Sequence, residues 1–406
     1  MIEPKLRFKA DDGSQFPDWE EKTLGDIGTA KMCKRVLKEQ TSEKGDVPFY
    51  KIGTFGGTPD AFISRELYEE LKAKYSFPRK GNILLSAAGT IGRTVVYDGQ
   101  DAFFQDSNIV WLDNDDSVLD GFLLQFYNKT SWDNLEGGTI KRLYNGLFLS
   151  KVIHVPSLPE QQKIADFLST IDTVIEKQKE TVSAWEERKK GMMQKLFSQE
   201  VRFKADDGSD FPEWEEKKLS EITSIHARIG WQNLRKDEFL TDGNYLLITG
   251  TDFCNGRVNF STCYYVDRER YEQDKNIQVE NGTILVTKDG TLGKVALVEN
   301  LNMPATLNAG VFAIKVIHAD TISKFLYHWL AAPMLLEYAS KKSTGGTIKH
   351  LNQGILVDFP VGVPCLEEQQ KIANCLSSLD EVIEKQKATL AAWKELKKGL
   401  LQQMFV

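Results

Sequence analysis

The sequence lacks several features that would assign the chain to a simple class. No apolar run reaches the ~18 residues that a membrane span needs, and the opening residues, MIEPKLRFKADDG, lack the apolar core of a signal peptide. The 5 cysteines are odd in number and form no CxxC pair, which argues against a disulfide framework and against a zinc ribbon. We therefore expect a cytoplasmic protein whose cysteines are buried thiols.

Catalytic patterns are also missing. The 5 histidines are scattered without ligand spacing, and no Ser/His/Asp or Cys/His set is readable. Asp60, Glu70 and Lys72 superficially resemble the PD…ExK set of metal-dependent nucleases. However, Glu70 lies in a stretch patterned as a surface helix, whereas that chemistry needs its ExK on a buried strand. We expect neither a catalytic site nor a metal site.

A long internal repeat is the most informative feature that is present. The segment from Val155 to Phe197 occurs again from Val363 to Phe405, and the two copies agree at 27 of 43 aligned positions. Upstream, RFKADDGSQFPDWEEKTLGDI from Arg7 is echoed by RFKADDGSDFPEWEEKKLSEI from Arg202. The chain is therefore a duplication of one unit, made of a lead-in, a module and a long segment.

Each long segment carries apolar residues in alternating steps of four and three, which is the heptad pattern of a coiled coil. Such a narrow stripe needs a partner helix, and the simplest partner is the other copy. Gln178 and Gln386 occupy matching seam positions, where a buried polar pair could fix the register. The alternative is that each helix packs only on its own domain. The predicted seam comprises Ile164, Leu168, Ile171, Ile175, Gln178, Val182, Trp185, Lys189, Met192 and Leu196, and then Ile372, Leu376, Leu379, Ile383, Gln386, Leu390, Trp393, Lys397, Leu400 and Met404.

Between the repeats, each half reads as a compact α+β module. The first module also contains one predicted helix, from Ser64 to Tyr75, and the second contains one near Thr321 to Tyr338. We expect the aromatic residues of the lead-ins, including Trp19 and Trp214, to pack into a core rather than to stack on bases. The predicted strands are Pro48 to Ile52, Asn82 to Ser86, Thr94 to Tyr97 and Ser107 to Leu112, then Tyr245 to Thr249, Thr283 to Thr287, Lys294 to Val298 and Gly310 to Val316.

The formal net charge of −7 argues against a nucleic-acid binder at first sight, because phosphate contacts need Lys and Arg. The acidic residues gather in the two lead-ins, so that basic clusters remain elsewhere, and only one face needs to be basic. The modules keep GTIGR at Gly89 and GTLGK at Gly290, and GGTIK at Gly137 and Gly345. GTIGR and GTLGK match no nucleotide-binding motif. They fit either plain strand-connecting turns or contacts to a DNA backbone through Arg93 and Lys294.

The layout of module, helix, module, helix, with PxLxEQQKIAxxL opening each helix and GGTIK ahead of it, closely resembles the specificity subunit of type I restriction–modification enzymes. The resemblance implies two target-recognition domains that each read one half of a split DNA sequence, with paired helices between them as a ruler. It also implies two modification subunits that methylate adenine N6. ATP-driven restriction subunits complete the expected complex. S-adenosylmethionine, ATP and Mg are then expected on those partners, and no cofactor on this chain.

We therefore predict an α+β fold in which two tandem α/β target-recognition modules are joined by two long antiparallel coiled-coil helices, as a circular pseudo-two-fold repeat. The recognition domains are assigned to 1–156 and 199–364, and the spacer helices to 157–198 and 365–406. Glu160, Gln161 and Gln162 are expected to begin the first helix and brace it against its module. The candidate DNA contacts are Lys31, Lys34, Arg35, Lys51, Arg93, Lys141, Arg142, Arg228, Trp231, Gln232, Arg235, Lys288, Lys294, Lys349 and His350.

Two other functions compete with DNA recognition. A coiled-coil adaptor would bind proteins through both modules without touching DNA, and salt-dependent DNA binding that weakens on charge reversal at Lys34 and Arg35 would exclude it. A cryptic nuclease would depend on Asp60, Glu70 and Lys72, and would show metal-dependent cleavage by the isolated chain.

Overall fold

The computed structural model describes residues 4–132, 142–230, 233–342 and 350–405. It divides into two compact units. Unit 1 comprises Met1–Lys179 and Thr389–Val406, and unit 2 comprises Glu180–Ala388. Each unit thus takes in one module and part of both long helices, whereas the sequence-based division set the helices apart. No helix in the described ranges is long and apolar enough to span a membrane.

Unit 1 contains two main sheets. The strand order is β2-β8-β5-β6, antiparallel throughout, and β4-β3-β7, in which β3 runs parallel to β7. A separate antiparallel pair joins β1 to β9. The strands are β1 (Glu20–Thr23), β2 (Gly28–Lys31), β3 (Val47–Tyr50), β4 (Phe62–Ile63), β5 (Ile83–Ser86), β6 (Thr94–Val96), β7 (Phe103–Phe104), β8 (Ile109–Asn114) and β9 (Val152–Val155). The helices are α1 (Leu24–Ile27), α2 (Arg65–Lys74), α3 (Asp120–Lys129), α4 (Asn145–Leu149) and α5 (Leu158–Phe197), which continues into unit 2.

Unit 2 repeats this plan with additions. Its sheets are ordered β11-β20-β17-β18-β14-β13 and β15-β12-β19-β16, with β12 parallel to β19, and β10 pairs with β21. The strands are β10 (Glu215–Lys218), β11 (Thr223–Ala227), β12 (Tyr245–Ile248), β13 (Phe253–Cys254), β14 (Arg257–Val258), β15 (Tyr264–Val266), β16 (Gln278–Val279), β17 (Ile284–Thr287), β18 (Val295–Leu297), β19 (Ala305–Leu307), β20 (Val311–Val316) and β21 (Pro360–Val363). The helices are α6 (Leu219–Ile222), α7 (Arg268–Glu272), α8 (Ser323–Ala331), α9 (Met334–Lys342), α10 (Gln353–Val357) and α11 (Leu366–Met404).

The strands that were predicted from sequence all lie within two residues of their predicted bounds. They were readable because central strands are continuous apolar runs, as in β5 and β17, where every residue is buried. The helix predicted near Thr321 to Tyr338 is wrong in one respect, since it is two helices, α8 and α9. Pro333 lies at the break, where it lacks an N–H and disfavours helical backbone at the residue before it.

The long helices pair within each unit. In unit 1 the start of α5, with Ile164 and Leu168, shares a buried core with the end of α11, including Met404. In unit 2 the end of α5, with Leu196, shares a core with the start of α11, including Ile372. Since the start of each helix packs against the end of the other, the helices are antiparallel, as predicted. Gln178 and Gln386 are half-buried on the seam, and their role in register stays a prediction.

Two equivalent ion pairs, related by the duplication, link the helices, one in each unit, and unit 2 has a further pair between Lys387 and Glu186. In unit 1 the ammonium of Lys397 lies 2.6 Å from a carboxylate oxygen of Asp172. In unit 2 the ammonium of Lys189 lies 2.5 Å from Asp380. Both lysines belong to the predicted seam, so the heptad pattern correctly placed them against the partner helix without showing what they would meet there.

The circular character of the repeat is visible in hydrogen bonds. The N–H of Leu6 donates to the carbonyl of Gln403 at 2.9 Å, which is the arrangement that Val201 and Lys195 make inside the chain at 3.2 Å. The last aromatic residue of each long helix also packs on an equivalent phenylalanine: Phe405 stacks on Phe122 with centroids 5.0 Å apart, and Phe197 meets Phe325 edge-to-face at 6.2 Å. The contact between the end of α11 and the first lead-in therefore repeats the internal junction, as the sequence predicted.

A buried carboxylate anchors each long helix to its lead-in. Glu160 is fully buried and accepts hydrogen bonds from Arg7 at 3.0 and 2.8 Å and from the indole of Trp19 at 3.2 Å. Glu368 makes the same contacts with Arg202 and Trp214 in unit 2. The predictions that these glutamates brace the helices and that the tryptophans pack into a core are confirmed. The prediction is wrong for Gln162, which is exposed and donates to Asp166 on its own helix at 2.8 Å.

The next residue of each motif ties the helix to the module. Gln161 is buried, accepts the N–H of Leu119 at 2.8 Å and donates to the carbonyl of Ser117 at 3.0 Å. Gln369 does the same with Ile322 and Asp320. Because the amide both donates and accepts, it fixes the start of α3 or α8 against the helix.

One buried position differs in chemistry between the units. Gln125 on α3 donates to Asp172 at 3.0 Å, whereas the equivalent residue on α8 is His328, which is fully buried. His328 Nε2 lies 3.2 Å from the hydroxyl of Ser377, and Nδ1 lies 3.9 Å from Asp380, too far for a hydrogen bond. Burial, reinforced by nearby Lys189, lowers the pKa of His328 from 6.5 to about 3. Although the carboxylate of Asp380 would favour the charged ring, burial outweighs it, because that carboxylate is already held by the lysine.

This histidine predicts a pH-dependent stability. Because folding lowers its pKa, His328 is neutral in the native state, whereas the histidine of the unfolded chain takes up a proton below pH 6.5. The free energy of unfolding is therefore highest above pH 6.5 and decreases as the pH falls toward 3. Between pH 6.5 and about pH 5 the loss is about 2 kcal/mol. We expect His328→Gln, which copies unit 1, to flatten the stability curve in this range, as measured by urea unfolding. Gln125→His should steepen it, and superimposable curves for all three proteins would contradict the assignment.

Candidate nucleic-acid interface

Three loops of unit 1 converge beside the end of strand β5, and we call them loop face 1. They are 51–57, 87–93 and 105–108. The N–H of Ile52 donates to the side chain of Gln105 at 2.9 Å, and the guanidinium of Arg93 donates to the carbonyl of Phe55 at 2.8 Å. Arg142 donates to the carbonyl of Ser107 at 2.6 Å. The face is thus held together by its own cationic side chains.

Further predicted contacts surround loop face 1. Arg35 donates to Asp106 at 3.0 Å and keeps 68% of its side chain exposed. Lys51 pairs with Asp60 at 2.8 Å, Lys34 lies over the ring of Tyr75, and Lys31 is half-buried on β2. Arg35, Arg93 and Arg142 are therefore brought together by loops 51–57 and 105–108, while Lys34 contacts the end of α2 instead.

Unit 2 has the corresponding loop face 2, made of 249–252, 288–294, 308–310 and 350. The N–H of Lys288 donates to the carbonyl of Gly310 at 2.9 Å, and the N–H of Leu351 donates to the carbonyl of Lys288 at 3.1 Å. His350 Nδ1 lies 2.7 Å from a carboxylate oxygen of Asp289. Lys294, Lys288 and His350 therefore lie on one face, as Arg93 and Arg142 do in unit 1.

Arg228 is a correction to the predicted set. Its side chain is 2% exposed, and Nε donates to the carbonyl of Leu307 at 2.9 Å while the other nitrogens reach Thr306 and Gln273. Burial lowers the pKa of this guanidinium. Arg228 therefore supports loop face 2 through the carbonyl of Leu307, next to 308–310, and it leaves the set of proposed phosphate contacts because almost none of its surface is exposed.

The remaining candidates are placed as follows. Arg235 is exposed, and its N–H donates to Glu238 at 2.7 Å next to a short 3₁₀ turn. Lys288 is half-buried over the ring of Phe312. Four predicted contacts lie outside the described residues, namely Lys141, Trp231, Gln232 and Lys349.

Sequence reasoning missed one part of the interface. The loop 105–108 carries the acceptors for Arg35 and Arg142, and Ser107 adopts a positive φ of 61°. The available signal was the run of Gln, Asp, Ser and Asn ahead of β8, which is typical of turns. Its contacts with residues so distant in the chain could not be read from such a local pattern.

The three residues of the nuclease hypothesis each contact a different partner and do not form one site. Asp60 pairs with Lys51, and Glu70 pairs with Lys74 at 2.9 Å on the exposed side of α2. Lys72 donates to the hydroxyl of Tyr68 at 2.9 Å. In the part of the chain that the structure describes, no group of three His, Cys, Asp or Glu side chains could hold a metal ion.

Comparison with known proteins identifies the family. A family model described as the type I restriction modification DNA specificity domain matches residues 17–183 and 212–392. The two matches cover both modules and most of both long helices, so they account for well over half of the chain.

Individual relatives agree with that match. A protein of Haemophilus influenzae described as a type I restriction enzyme specificity subunit is 56% identical over 37% of this chain, a match that spans 40% of the relative. The type I restriction enzyme MjaVIII specificity subunit of Methanocaldococcus jannaschii is 25% identical over 93% of this chain and 90% of its own length.

A solved structure shares the fold. The S subunit of a type I restriction–modification system from M. genitalium superposes with a TM-score of 0.57 at 17% identity, covering 100% of this chain and 99% of that chain. With the two matches to the specificity domain, the chain belongs to the type I restriction–modification specificity subunit family, whose role is DNA target recognition.

Proposed function

We propose that this chain reads a bipartite, asymmetric DNA target, with one half-site contacted by each loop face. The observation that carries the proposal is the unequal divergence of the two units. The helix anchors and the GTIGR and GTLGK turns are kept, whereas the residues at 31–80 and 226–280 have almost nothing in common. A duplicated frame with two different surfaces suits two different short sequences.

We further propose that the chain is a non-catalytic specificity subunit that directs adenine methylation or restriction by its partners. It would assemble with two modification subunits, because the duplicated helices offer equivalent surfaces twice, and with restriction subunits. S-adenosylmethionine, ATP and Mg would be bound by those partners rather than by this chain. Arg93, Arg142, Arg35, Lys294 and His350 are the residues that we propose face the DNA.

The function is tested by sequencing the methylome of cells that express this chain with its modification subunits. We expect adenine methylation in a motif with two short specified halves and an unspecified spacer, absent when this chain is deleted. A host strain that expresses the modification subunits alone is the control. A methylome without any bipartite motif would contradict the proposal and would favour the adaptor that never touches DNA.

A further inference from the structure

We propose that the GTIGR and GTLGK turns are the two places where the chain grips the DNA backbone, each holding one phosphate. This inference rests on the proposed function and deepens it. It separates sequence-independent anchoring, assigned to the two kept turns, from base reading, assigned to the divergent loops around them.

Backbone amides supply the first component of the site. Among the described residues, the N–H groups of Thr90 and Ile91 have no hydrogen-bond acceptor, and the same holds for Thr291 and Leu292 in unit 2. Thr90 and Thr291 are exposed. Two successive unpaired N–H groups in a tight turn form a concavity that suits an anion oxygen.

The turn is held rigid from inside. The hydroxyl of Ser86 donates to the carbonyl of Thr90 at 2.6 Å and accepts the N–H of Arg93 at 2.8 Å. Thr287 makes the same two bonds in unit 2, at 2.5 and 2.9 Å. The amides are therefore already in position before any ligand arrives, which lowers the entropic cost of binding.

A glycine closes each turn against the module. Gly92 has φ of 85°, and an added Cβ would lie 2.3 Å from the indole of Trp132. Gly293 has φ of 68°, and its Cβ would lie 2.5 Å from Leu336. Both the left-handed backbone and the close packing require glycine there, so this conformation is built into both units.

Cations supply the second component. Each turn ends in an exposed basic residue, which is Arg93 in the first turn and Lys294 in the second. A second basic residue, Arg142 or His350, immediately precedes the leucine whose N–H donates to the residue after β5 or β17. The second turn also carries Asp289, which His350 contacts, where the first turn has an alanine. Lys288, which lies over the ring of Phe312, offsets Asp289, so the second turn keeps a lysine and a histidine where the first has two arginines. We therefore expect the first turn to bind more strongly.

The test measures DNA affinity against salt for the assembled complex, using a target duplex and an unrelated duplex of equal length. Arg93→Gln should weaken binding to both duplexes by the same factor, about five- to tenfold near 0.1 M salt, and should reduce the slope of log Kd against log salt by about 0.9. Lys294→Gln should act in the same direction with a smaller loss. Arg93→Lys, which copies the second turn, should retain the slope.

A matched control and two outcomes complete the test. Lys80→Gln removes an equal charge at the opposite end of β5 and should leave the slope unchanged. An unchanged slope for Arg93→Gln, or a loss confined to the target duplex, would overturn the inference while leaving DNA recognition intact. A wild-type complex that binds neither duplex would instead overturn the proposed function.

Discussion

Glu160→Ala is expected to destabilise unit 1 by about 3 kcal/mol, since Arg7 would keep its bonds to the carbonyls of Phe16 and Pro17 but stay largely buried without a counter-charge. Glu160 is fully buried, and it is the shared acceptor for Arg7 and Trp19. Its loss leaves a guanidinium with only 11% exposure and an indole N–H without their carboxylate. For a unit of about 200 residues, this corresponds to a drop in Tm of roughly 6 to 12 °C.

The measurement is thermal unfolding by calorimetry, with Gln162→Ala as the matched control. Gln162 is two residues further along the same helix and is exposed, with one contact to Asp166. Glu368→Ala should produce an equal loss in unit 2, because its partners are the same residue types at the same distances within 0.3 Å. A Tm for Glu160→Ala equal to that of the control would show that the carboxylate does not anchor the helix.

The second large effect concerns the DNA target. If α5 and α11 act as the ruler, duplicating Gln178–Ala184 in the first and Gln386–Ala392 in the second should widen the unspecified spacer by about three base pairs. The added seven residues lengthen a helix by about 10 Å, and B-DNA rises 3.4 Å per base pair. Both duplications keep the alternating steps of four and three, so the seam stays continuous.

Methylome sequencing reads the result directly. The two specified halves should be unchanged, because the loop faces are untouched, and only the number of bases between them should grow. A variant with the duplication in α5 alone is the control, since unequal helices cannot keep their antiparallel register and should lose methylation. An unchanged spacer in the double variant, with methylation intact, would argue against the ruler.

The sequence revealed the frame of this molecule because the frame is periodic and duplicated. The seam of α5 and α11 follows from heptad spacing, and the central strands follow from apolar runs such as that of β5. A break inside a predicted helix was harder to recognise. The break between α8 and α9 depends on Pro333, a single residue within a stretch whose apolar spacing otherwise favours one continuous helix.

The site was only partly predictable, because it consists of loops that meet through tertiary contacts. Arg228 and Arg35 belong to similar basic clusters in the sequence, yet one is buried under Leu307 and the other is exposed beside Asp106. Nothing local distinguishes them. Arg228 directly follows β11 and meets the end of β19 at Leu307, whereas Arg35 lies four residues beyond the end of β2.

An edge strand shows how far the two copies have diverged. Val96 on β6 is 45% exposed at the end of its sheet, in the described part of unit 1. Its counterpart, Leu297 on β18, is 4% exposed, since it lies in a core with Phe325 and Leu326 of α8 and β14 pairs with its strand. The hairpin of β13 and β14 is an insertion that the shared frame accommodates without any change to the helix anchors.

The anchoring carboxylates have a consequence for evolution. Each module meets the helices through the same joint, a glutamate gripped by an arginine and a tryptophan, whatever its own loops contain. A recombination event that replaces one module between a lead-in and an EQQKI segment would therefore leave the joint intact. A new target half can then be acquired as a whole module.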